Sequence, residues 1–324
     1  MNIAILDDYQ DQVRHLDCFA LLKEHDIRVL NETYLNPQEL AKHLEGVEVL
    51  VLIRERTQIT EELLKLLPNL KLISQTGKIS NHIDPVLCQR YGVAIAEGVG
   101  SPIAPSELCW ALIMNASRHI TPYVMQLKAG FWQQSGTLGL GRALNGQTLG
   151  IWGYGKIGQR IAQFGRAFGM QVLIWGRDAS REKAVADGFQ AAESKAEFFS
   201  SADIISLHLR LNDATRYCVT ANDLSLMKSD ALIVNTSRAE LIEPGALFKA
   251  LTDVPTRRAA LDVYEQEPAS LEIEPLIGLP NVLASPHLGY VEQNSYELYF
   301  RVAFENVVAF AKGEPQNLVA NSSQ

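Results

Sequence analysis

The sequence has few cysteines and no cysteine motif. Its four cysteines, Cys18, Cys88, Cys109 and Cys218, are widely separated, form no CxxC pair and lie within or beside apolar segments. Recognisable metal and redox motifs such as CxxC place cysteines close together in the sequence, so we interpret these four as reduced side chains that pack in the core. The sequence therefore predicts no metal site.

Long runs of positive charge and of apolar residues are also missing. No segment is rich in Lys or Arg, and the formal net charge is −8, which argues against binding to nucleic acid or to an anionic membrane surface. No apolar run approaches the roughly 20 residues that span a bilayer. The amino-terminal segment MNIAILDDYQDQ carries acids where a secretory signal carries Lys or Arg, so we expect a cytoplasmic protein.

The sequence has no short repeat and no low-complexity tract, which excludes solenoids and linker-rich architectures. Its 324 residues are 47% hydrophobic, which is enough apolar material for two cores. Short segments rich in Ile, Val and Leu alternate with helix-like segments, and this pattern is typical of βα units that form a parallel sheet. We predict an α/β fold with two domains, each a parallel sheet with flanking helices.

Two series of predicted strands divide the chain. A helix-competent segment at 103–119 separates them, and an amphipathic segment that starts at Glu292 and closes at Gly313 follows the second series. We therefore predict one domain at 1–101 and 292–324, and another at 102–291. The predicted strands are 3–6, 47–53, 70–74 and 93–96 in the first series, and 148–152, 171–175, 203–209, 231–235, 258–263 and 282–284 in the second.

The run Gly153-Tyr154-Gly155-Lys156-Ile157-Gly158 directly follows a predicted strand and precedes an amphipathic helix. In a dinucleotide-binding loop the first glycine permits a tight turn, the second lets the backbone approach a pyrophosphate, and the third lets the helix pack on the strand. A GxGxxG motif alone is weak, but its position between strand and helix is specific. We predict that 102–291 is a Rossmann-type dinucleotide-binding domain and that 1–101 with 292–324 binds the substrate.

The end of the second strand in this domain bears on the choice between NAD and NADP. An NAD-binding unit has an acid there for the adenosine ribose, whereas this strand ends in Gly176-Arg177-Asp178. Arg177, with Ser180 or Arg181, offers charge-assisted hydrogen bonds to a 2′-phosphate. We therefore favour NADP over NAD. The alternative is that Arg177 is a solvated loop residue and that Asp178 serves the ribose.

Three further motifs follow at predicted strand ends: Asn235-Thr236-Ser237-Arg238, LDVYEQEP at 261–268, and Ser285-Pro286-His287-Leu288-Gly289. With the glycine loop, they resemble the D-isomer-specific 2-hydroxyacid dehydrogenase family, which includes glyoxylate/hydroxypyruvate reductases and phosphoglycerate dehydrogenases. The stretches 201–209 and 77–84 are also similar to it, so the resemblance covers nearly the whole chain. It implies an oxidoreductase that transfers a hydride between NAD(P)H and C2 of a small 2-keto or 2-hydroxy acid.

The resemblance implies that Arg238, Glu267 and His287 are catalytic. Reduction of a ketone at C2 builds negative charge on its oxygen, and a histidine, with a reference pKa of about 6.5, can supply a proton near neutrality. His287 is therefore the predicted acid/base. A hydrogen bond to Glu267 would fix its tautomer and favour the protonated ring. Arg238 offers a planar fork for a carboxylate and a positive charge for the C2 oxygen.

Each of these three residues also has an ordinary explanation in a loop, a turn or at the surface, and their joint order along the chain favours the catalytic interpretation. The same motifs predict further cofactor-binding residues outside the glycine loop. His208 is interpreted as a packed or cofactor-lining residue rather than as an acid. The predicted cofactor-binding residues of these motifs are His208, Thr236, Ser237, Asp262 and Gly289.

The predicted substrate-binding residues are Gly77, Lys78 and Arg238. Members of the family commonly have a glycine pair whose backbone amides hold the substrate carboxylate, but here only Gly77 remains. Lys78 either adds a charge to that site or is simply an exposed lysine. Two other departures are Ala239, where a glycine usually follows the catalytic arginine, and Arg210, where a proline is usual and which is a candidate to assist an adenosine phosphate.

The substrate stays open among glyoxylate, hydroxypyruvate, a phosphorylated acid and a bulkier 2-keto acid. The resemblance also implies a homodimer, and we expect the active site in a cleft between the two domains. Two other functions remain as alternatives: a nucleotide-sensing protein with little turnover, and a methyltransferase that uses the glycine loop for another nucleotide. The joint presence of Arg238, Glu267 and His287 argues against both.

Overall fold

The computed structural model describes residues 1–319; positions 320–324, which the sequence assigns to the first domain, lie outside the described residues. The chain divides into two compact units. The first unit comprises Met1–Ser101 and the described residues from Glu292 onward, and the second unit is Pro102–Val291. Each unit has its own sheet.

The first unit contains a five-stranded sheet and four α-helices, with short 3-10 helices at Val13–His15 and Asp17–Leu22. Its strands are β1 (Asn2–Ile5), β2 (Asp26–Val29), β3 (Val49–Leu52), β4 (Leu72–Gln75) and β5 (Ala94–Ala96). Its helices are α1 (Pro37–His43), α2 (Glu61–Leu66), α3 (Pro85–Arg90) and, much later in the chain, α11 (Gln293–Ala311). The strand order is β2-β1-β3-β4-β5, and every pair runs parallel.

Helix α11 completes the core of the first unit. The Glu292 side chain caps its amino terminus by accepting hydrogen bonds from two first-turn amides. Its Phe300 and Phe304 side chains are fully buried, and the hydroxyl of Ser74 in β4 donates to the helix carbonyl of Ala303 at 2.8 Å. The chain then continues to the sheet edge, where the Val319 amide donates to the Ile95 carbonyl of β5 at 2.9 Å.

The second unit contains a seven-stranded sheet, with 3-10 helices at Gly136–Leu138, Ala239–Leu241 and Pro275–Gly278. Its strands are β6 (Thr148–Trp152), β7 (Gln171–Trp175), β8 (Gln190–Ala191), β9 (Ile204–Leu207), β10 (Leu232–Asn235), β11 (Arg258–Leu261) and β12 (Val282–Ala284). Its helices are α4 (Ile103–Arg118), α5 (Ile120–Lys128), α6 (Lys156–Ala167), α7 (Asp178–Ala186), α8 (Lys195–Ser201), α9 (Ala221–Ser225) and α10 (Ala246–Asp253).

The strand order of the second unit is β8-β7-β6-β9-β10-β11-β12, and all pairs run parallel. Counted from β6, its first six strands have the 3-2-1-4-5-6 order of the dinucleotide-binding fold. Strands β9 and β10 are buried at every position, as expected when helices cover both faces of a parallel sheet. The predicted α/β architecture with a Rossmann-type second domain is confirmed.

The predicted bounds of β6, β7 and β12 match the structure, and the two strands that were not predicted, β2 and β8, lie at sheet edges. An edge strand is exposed along one side and needs no continuous apolar run, so its sequence signal is weak. The cysteines pack as predicted: Cys18, Cys88 and Cys109 are buried free thiols, and burial raises the pKa of Cys109 to about 11. In residues 1–319, no helix is both long and apolar enough to cross a membrane.

Candidate active site

The predicted site motifs of the second unit all follow strands at one edge of its sheet. Because the strands are parallel, the residues after β6, β9, β10, β11 and β12 meet at the carboxyl edge. Strand β7 lies on one side of β6 in the sheet, and β9 lies on the other side. The direction in which strands are added therefore reverses at β6, and open α/β sheets bind ligands at such a switch point.

The glycine loop packs too tightly for side chains at its first and third glycines. Gly153 has a φ of 102°, and a Cβ there would lie 2.4 Å from the carbonyl oxygen of His208. A Cβ on Gly158 would lie 2.0 Å from the Gly153 carbonyl oxygen. Gly155, by contrast, faces open space, and no side chain caps the amino terminus of α6, which begins at Lys156. The loop therefore leaves backbone amides available and fits a pyrophosphate.

The Tyr154 side chain points away from the open side of the glycine loop. It is buried, and its hydroxyl donates to Oδ2 of Asp187 at 2.9 Å. Its ring packs against Phe189 with centroids 6.1 Å apart. Burial raises the pKa of this phenol, and the Asp187 hydrogen bond adds to the effect. Only the backbone of Tyr154 is thus left for a cofactor, while Lys156 is exposed and Ile157 is half-buried.

The segment after β7 presents an arginine where an acid would serve an adenosine ribose. Arg177 is exposed immediately before α7, and no acid in residues 1–319 pairs with it. Asp178 instead forms an ion pair with Arg181 and is itself exposed. The Arg181 guanidinium carbon lies 5.1 Å from the Trp175 ring centroid. Arg177 therefore has no carboxylate partner within residues 1–319, whereas the adjacent Asp178 carboxylate is paired with Arg181.

His208 follows β9 and adjoins the glycine loop, because its amide donates to the Trp152 carbonyl at 2.8 Å. Its Nε2 lies 2.8 Å from the Ser206 hydroxyl, which is also 3.4 Å from the Cys109 sulfur. Burial lowers the pKa of His208 to about 4. The ring is therefore neutral at pH 7, which agrees with a packed or cofactor-lining residue and not with a proton donor.

Arg238 follows β10 in a turn that the buried Asn235 side chain braces. The Asn235 amide nitrogen donates to the Arg238 carbonyl at 2.8 Å, and its oxygen accepts from the Ser237 amide at 3.1 Å. The Ser237 hydroxyl donates to the Leu207 carbonyl of β9 at 2.7 Å. The Arg238 side chain is half-buried and donates to the Ser237 carbonyl at 2.6 Å. Thr236, which lies between Asn235 and Ser237 in the chain, is half-buried.

The structure brings Glu267 and His287 into direct contact. The His287 Nδ1 lies 2.6 Å from Oε2 of Glu267. The other carboxylate oxygen of Glu267 accepts from the Tyr264 amide at 3.1 Å, which fixes the carboxylate relative to the end of β11. The Tyr264 hydroxyl donates to the Ser285 carbonyl at 2.9 Å. The second ring nitrogen of His287, Nε2, has no hydrogen-bond partner in residues 1–319.

Asp262 is fully buried at the end of β11 and holds the loop that carries His287. Its Oδ1 accepts from the Ser285 hydroxyl at 2.6 Å and from the Leu288 amide at 2.8 Å. Its Oδ2 accepts from the Gly289 amide at 3.0 Å. Burial raises the pKa of this carboxyl, and these hydrogen bonds oppose the rise. Asp262 thus has a structural role that the sequence, which indicated a cofactor contact, did not reveal.

The predicted substrate residues Gly77 and Lys78 follow β4 at the carboxyl edge of the first unit's sheet. A Cβ on Gly77 would lie 2.0 Å from Nη1 of Arg54, so the glycine makes room for this guanidinium. Lys78 is exposed, and its ammonium lies 2.7 Å from Glu97. The backbone amides of Gly77 and Lys78 donate to no acceptor in the described chain.

Sequence reasoning missed Arg54. This residue follows β3 with a φ of 55°, a left-handed conformation that is uncommon for a residue with a side chain. Its guanidinium carbon lies 6.0 Å from the ring centroid of Tyr299 in α11. The available signal was the position of Arg54, a charged residue directly after the largely apolar segment 47–53. Among residues 1–319, no group of three or more His, Cys, Asp and Glu side chains is arranged to hold a metal ion.

The fold and the glycine loop define a dinucleotide-binding protein of the Rossmann class. A family model described as "D-isomer specific 2-hydroxyacid dehydrogenase, NAD binding domain" matches residues 110–289. The chain therefore belongs to the D-isomer-specific 2-hydroxyacid dehydrogenase family, as its motifs predicted. The matched residues are those of the nicotinamide-cofactor domain.

Individual relatives are similar over most of the chain. The glyoxylate reductase of Aeropyrum pernix is 34% identical, over 92% of this chain and 91% of that protein. The D-3-phosphoglycerate dehydrogenase of Methanocaldococcus jannaschii is 32% identical over 93% of this chain, which spans 58% of that longer protein. A crystal structure of a phosphoglycerate oxidoreductase from Vibrio cholerae O395 is 64% identical, with a TM-score of 0.96, over 97% of this chain and 99% of that one.

Proposed function

We propose that this protein interconverts a small 2-keto acid and the corresponding D-2-hydroxy acid with NADP(H), and that His287 is the acid/base. The observation that carries the proposal is the 2.6 Å contact between Nδ1 of His287 and Glu267. This pair lies at the sheet edge that also holds the glycine loop. Membership of the dehydrogenase family supports the reaction class.

A bound NAD(P)H supplies the hydride that C2 of the keto acid receives. His287 donates a proton from Nε2 to the C2 oxygen, since Glu267 engages Nδ1. Glu267 orients the imidazole and offsets its positive charge before the proton leaves. Arg238 stabilises the negative charge that grows on the C2 oxygen. In the oxidative direction, His287 takes the hydroxyl proton of the 2-hydroxy acid.

The first unit supplies the site for the substrate carboxylate in this proposal. The amides of Gly77 and Lys78 have no acceptor in residues 1–319, and adjacent amides of this kind bind anions. Arg54 lies against Gly77 and adds a positive charge. The relatives named glyoxylate reductase and phosphoglycerate dehydrogenase support a small acid, with or without a phosphate, as the substrate class.

The proposed preference for NADP rests on Arg177. It is exposed and has no acidic partner in the described chain, while Asp178 is already paired with Arg181. A 2′-phosphate would gain charge-assisted hydrogen bonds from Arg177. We expect Arg177→Ser to raise KM for NADPH about tenfold and to leave KM for NADH unchanged. Equal KM values for NADPH in both proteins would remove this part of the proposal.

A homodimer is also part of the proposal. No residue of α5 is buried, and large apolar side chains are exposed on this helix and just after it. An exposed apolar patch of this kind supports a contact surface for a second copy of this chain. Sedimentation of Met125→Glu should show monomers, whereas Leu35→Glu, at an exposed leucine of the first unit, should leave the dimer intact. The exposed side chains are Ile120, Val124, Met125, Leu127, Phe131 and Trp132.

The decisive experiment follows the loss of reduced-nicotinamide absorbance with NADPH and with NADH across glyoxylate, hydroxypyruvate, phosphohydroxypyruvate, pyruvate and bulkier 2-keto acids. Wild type should oxidise NADPH, His287→Gln should lose at least about a hundredfold in kcat, and His15→Gln, at an exposed histidine, should match wild type. Tight cofactor binding without oxidation of any substrate would favour the nucleotide sensor. A cytoplasmic location stays a prediction from the sequence.

A further inference from the structure

Glu97 connects the loop at 77–79 to the end of strand β5 with both of its carboxylate oxygens. Oε1 accepts a hydrogen bond of 2.9 Å from the Ile79 amide, and Oε2 lies 2.7 Å from the Lys78 ammonium. The Glu97 side chain is 20% exposed, whereas that of Lys78 is 68% exposed. Because an exposed ion pair alone is a weak constraint, the charge-assisted bond to the Ile79 amide is the stronger of the two.

The backbone after Glu97 lies flat against the same loop. The Gly98 amide donates to the Gly77 carbonyl at 2.8 Å. A Cβ on Gly98 would lie 2.7 Å from the Gly77 nitrogen and 2.6 Å from the Gln75 carbonyl oxygen. Any side chain at position 98 would therefore crowd the Gly77 amide. The glycine keeps that amide uncovered.

Glu97 is itself held in place by two asparagines. Its amide donates to the Asn317 carbonyl at 2.9 Å, and the Asn306 side chain donates to the Glu97 carbonyl at 3.1 Å. The Asn317 side chain in turn donates to Asn306 Oδ1 at 2.8 Å. Asn306 is buried in α11. The backbone of Glu97 is thus anchored to a core helix, so its carboxylate can fix the neighbouring loop.

We propose that Glu97 is a positioning residue for the substrate carboxylate, and that the Lys78 ammonium offsets the negative charge of Glu97. Glu97 fixes the backbone of 77–79 so that the amides of Gly77 and Lys78 keep one geometry. An unpaired carboxylate beside an anion-binding loop would repel the substrate, and the Lys78 ammonium removes that repulsion. This inference rests on the proposed function, because it takes the 77–79 loop as the carboxylate site.

Steady-state kinetics with saturating NADPH separate the two roles. Glu97→Ala loses the Ile79 bond and should raise KM for the keto acid about tenfold with little change in kcat. Glu97→Gln keeps an acceptor for Ile79 and should have a KM at or below that of wild type. Lys78→Met leaves Glu97 unpaired and should raise KM several-fold, and adding Glu97→Gln should reverse this rise.

The chain offers a matched control at the amino end of the same sheet. Glu48 also uses both oxygens, accepting from the Asn2 amide at 3.0 Å and pairing with Lys71 at 2.6 Å. Glu48→Ala and Lys71→Met should therefore leave KM unchanged. Equal KM values for Glu97→Ala and wild type, or equal rises in Glu97→Ala and Glu48→Ala, would overturn the proposal.

Hydrogen exchange of the peptide that covers 72–84, measured without substrate, tests the loop independently of turnover. The Ile79 amide, which donates to Glu97, should exchange faster in Glu97→Ala than in wild type, and Glu97→Gln should restore the slow exchange. Failure of wild type to reduce any 2-keto acid would refute the proposed function only. Hydrogen exchange would still test whether Glu97 fixes the 77–79 loop. Unchanged exchange in Glu97→Ala would refute the positioning role even in an active enzyme.

Discussion

The Asp262 carboxylate accepts a hydrogen bond of 3.0 Å from the amide of Gly289, two residues beyond His287. It also accepts one from the Leu288 amide at 2.8 Å. His287 itself has a φ of 52°, and a left-handed residue with a side chain costs roughly 1–2 kcal/mol. The buried carboxylate offsets this cost and holds the histidine in the conformation that reaches Glu267.

Asp262→Asn should therefore loosen the His287 loop. An asparagine has one acceptor oxygen for three donors, so its amide nitrogen would face at least one donor at close range. We expect kcat to fall about ten- to a hundredfold and the free energy of unfolding to drop by about 1–3 kcal/mol. Steady-state kinetics and urea denaturation provide the two measurements.

The control for this change is Asp223→Asn. Asp223 is also buried, and its carboxylate accepts from the Thr220 amide and pairs with Lys195 at 2.7 Å. This variant should lose comparable stability and keep the wild-type kcat. A kcat loss of the same size in both variants would show that the effect is general destabilisation.

Glu267→Gln should reduce kcat about a hundredfold with little effect on KM, because it keeps the shape of the side chain and removes the charge opposite His287. Glu265→Gln, at an exposed glutamate two residues earlier, is the matched control and should behave as wild type. Retention of more than half of kcat in Glu267→Gln would exclude an electrostatic contribution of this carboxylate to the chemical step.

The glycines of the loop should respond differently to alanine. Gly153→Ala places a Cβ 2.4 Å from a backbone oxygen at a φ of 102° and should lower the free energy of unfolding by roughly 2 kcal/mol or more. Gly155→Ala meets nothing within 4 Å, so stability should stay within about 0.5 kcal/mol of wild type. Its added methyl should nevertheless weaken NADPH binding, which fluorescence titration measures.

The half-buried His208 predicts a pH dependence of stability. Its pKa falls to about 4 in the folded state, against about 6.5 in the unfolded chain. The unfolded state thus binds more protons between these values, so the stabilising contribution is complete above pH 6.5 and is lost as pH falls toward 4. The loss amounts to about 3 kcal/mol at pH 4.

Urea denaturation of the cofactor-free protein at several pH values measures this effect. His208→Gln should flatten the decline in stability between pH 6.5 and pH 4, while His15→Gln, at an exposed histidine, should leave it unchanged. Parallel pH curves for wild type and His208→Gln would contradict the assignment of a low pKa to this residue.

The architecture and much of the candidate site could be predicted from the sequence because both depend on regular patterns. Buried strands such as β9 and β10 are mostly apolar, with one polar residue each. A parallel sheet brings the residues that follow its strands to one edge. Glu267 and His287 meet for this reason: they follow β11 and β12, which are neighbours. The order of these motifs along the chain therefore predicted that their residues lie close together in the fold.

What the sequence did not show depends on side-chain direction and on polar bonding in three dimensions. Tyr154 stands inside the glycine motif, yet its buried side chain points away from the loop and its hydroxyl donates to Asp187. Asp262 stands in a family motif, but only the structure shows its oxygens accepting from the loop after His287. The bracing of 77–79 by Glu97 joins residues 18 positions apart, and no periodic pattern encodes such a contact.

Because the first unit includes α11, its core depends on residues from both ends of the chain. A growing polypeptide leaves the ribosome amino terminus first, so strands β1 to β5 are made well before Phe300 and Phe304 can cover them. The second unit is continuous and has all its residues once Val291 has emerged. Native packing of the nascent protein should therefore begin in its middle segment, and its first hundred residues should be the part that chaperones protect longest.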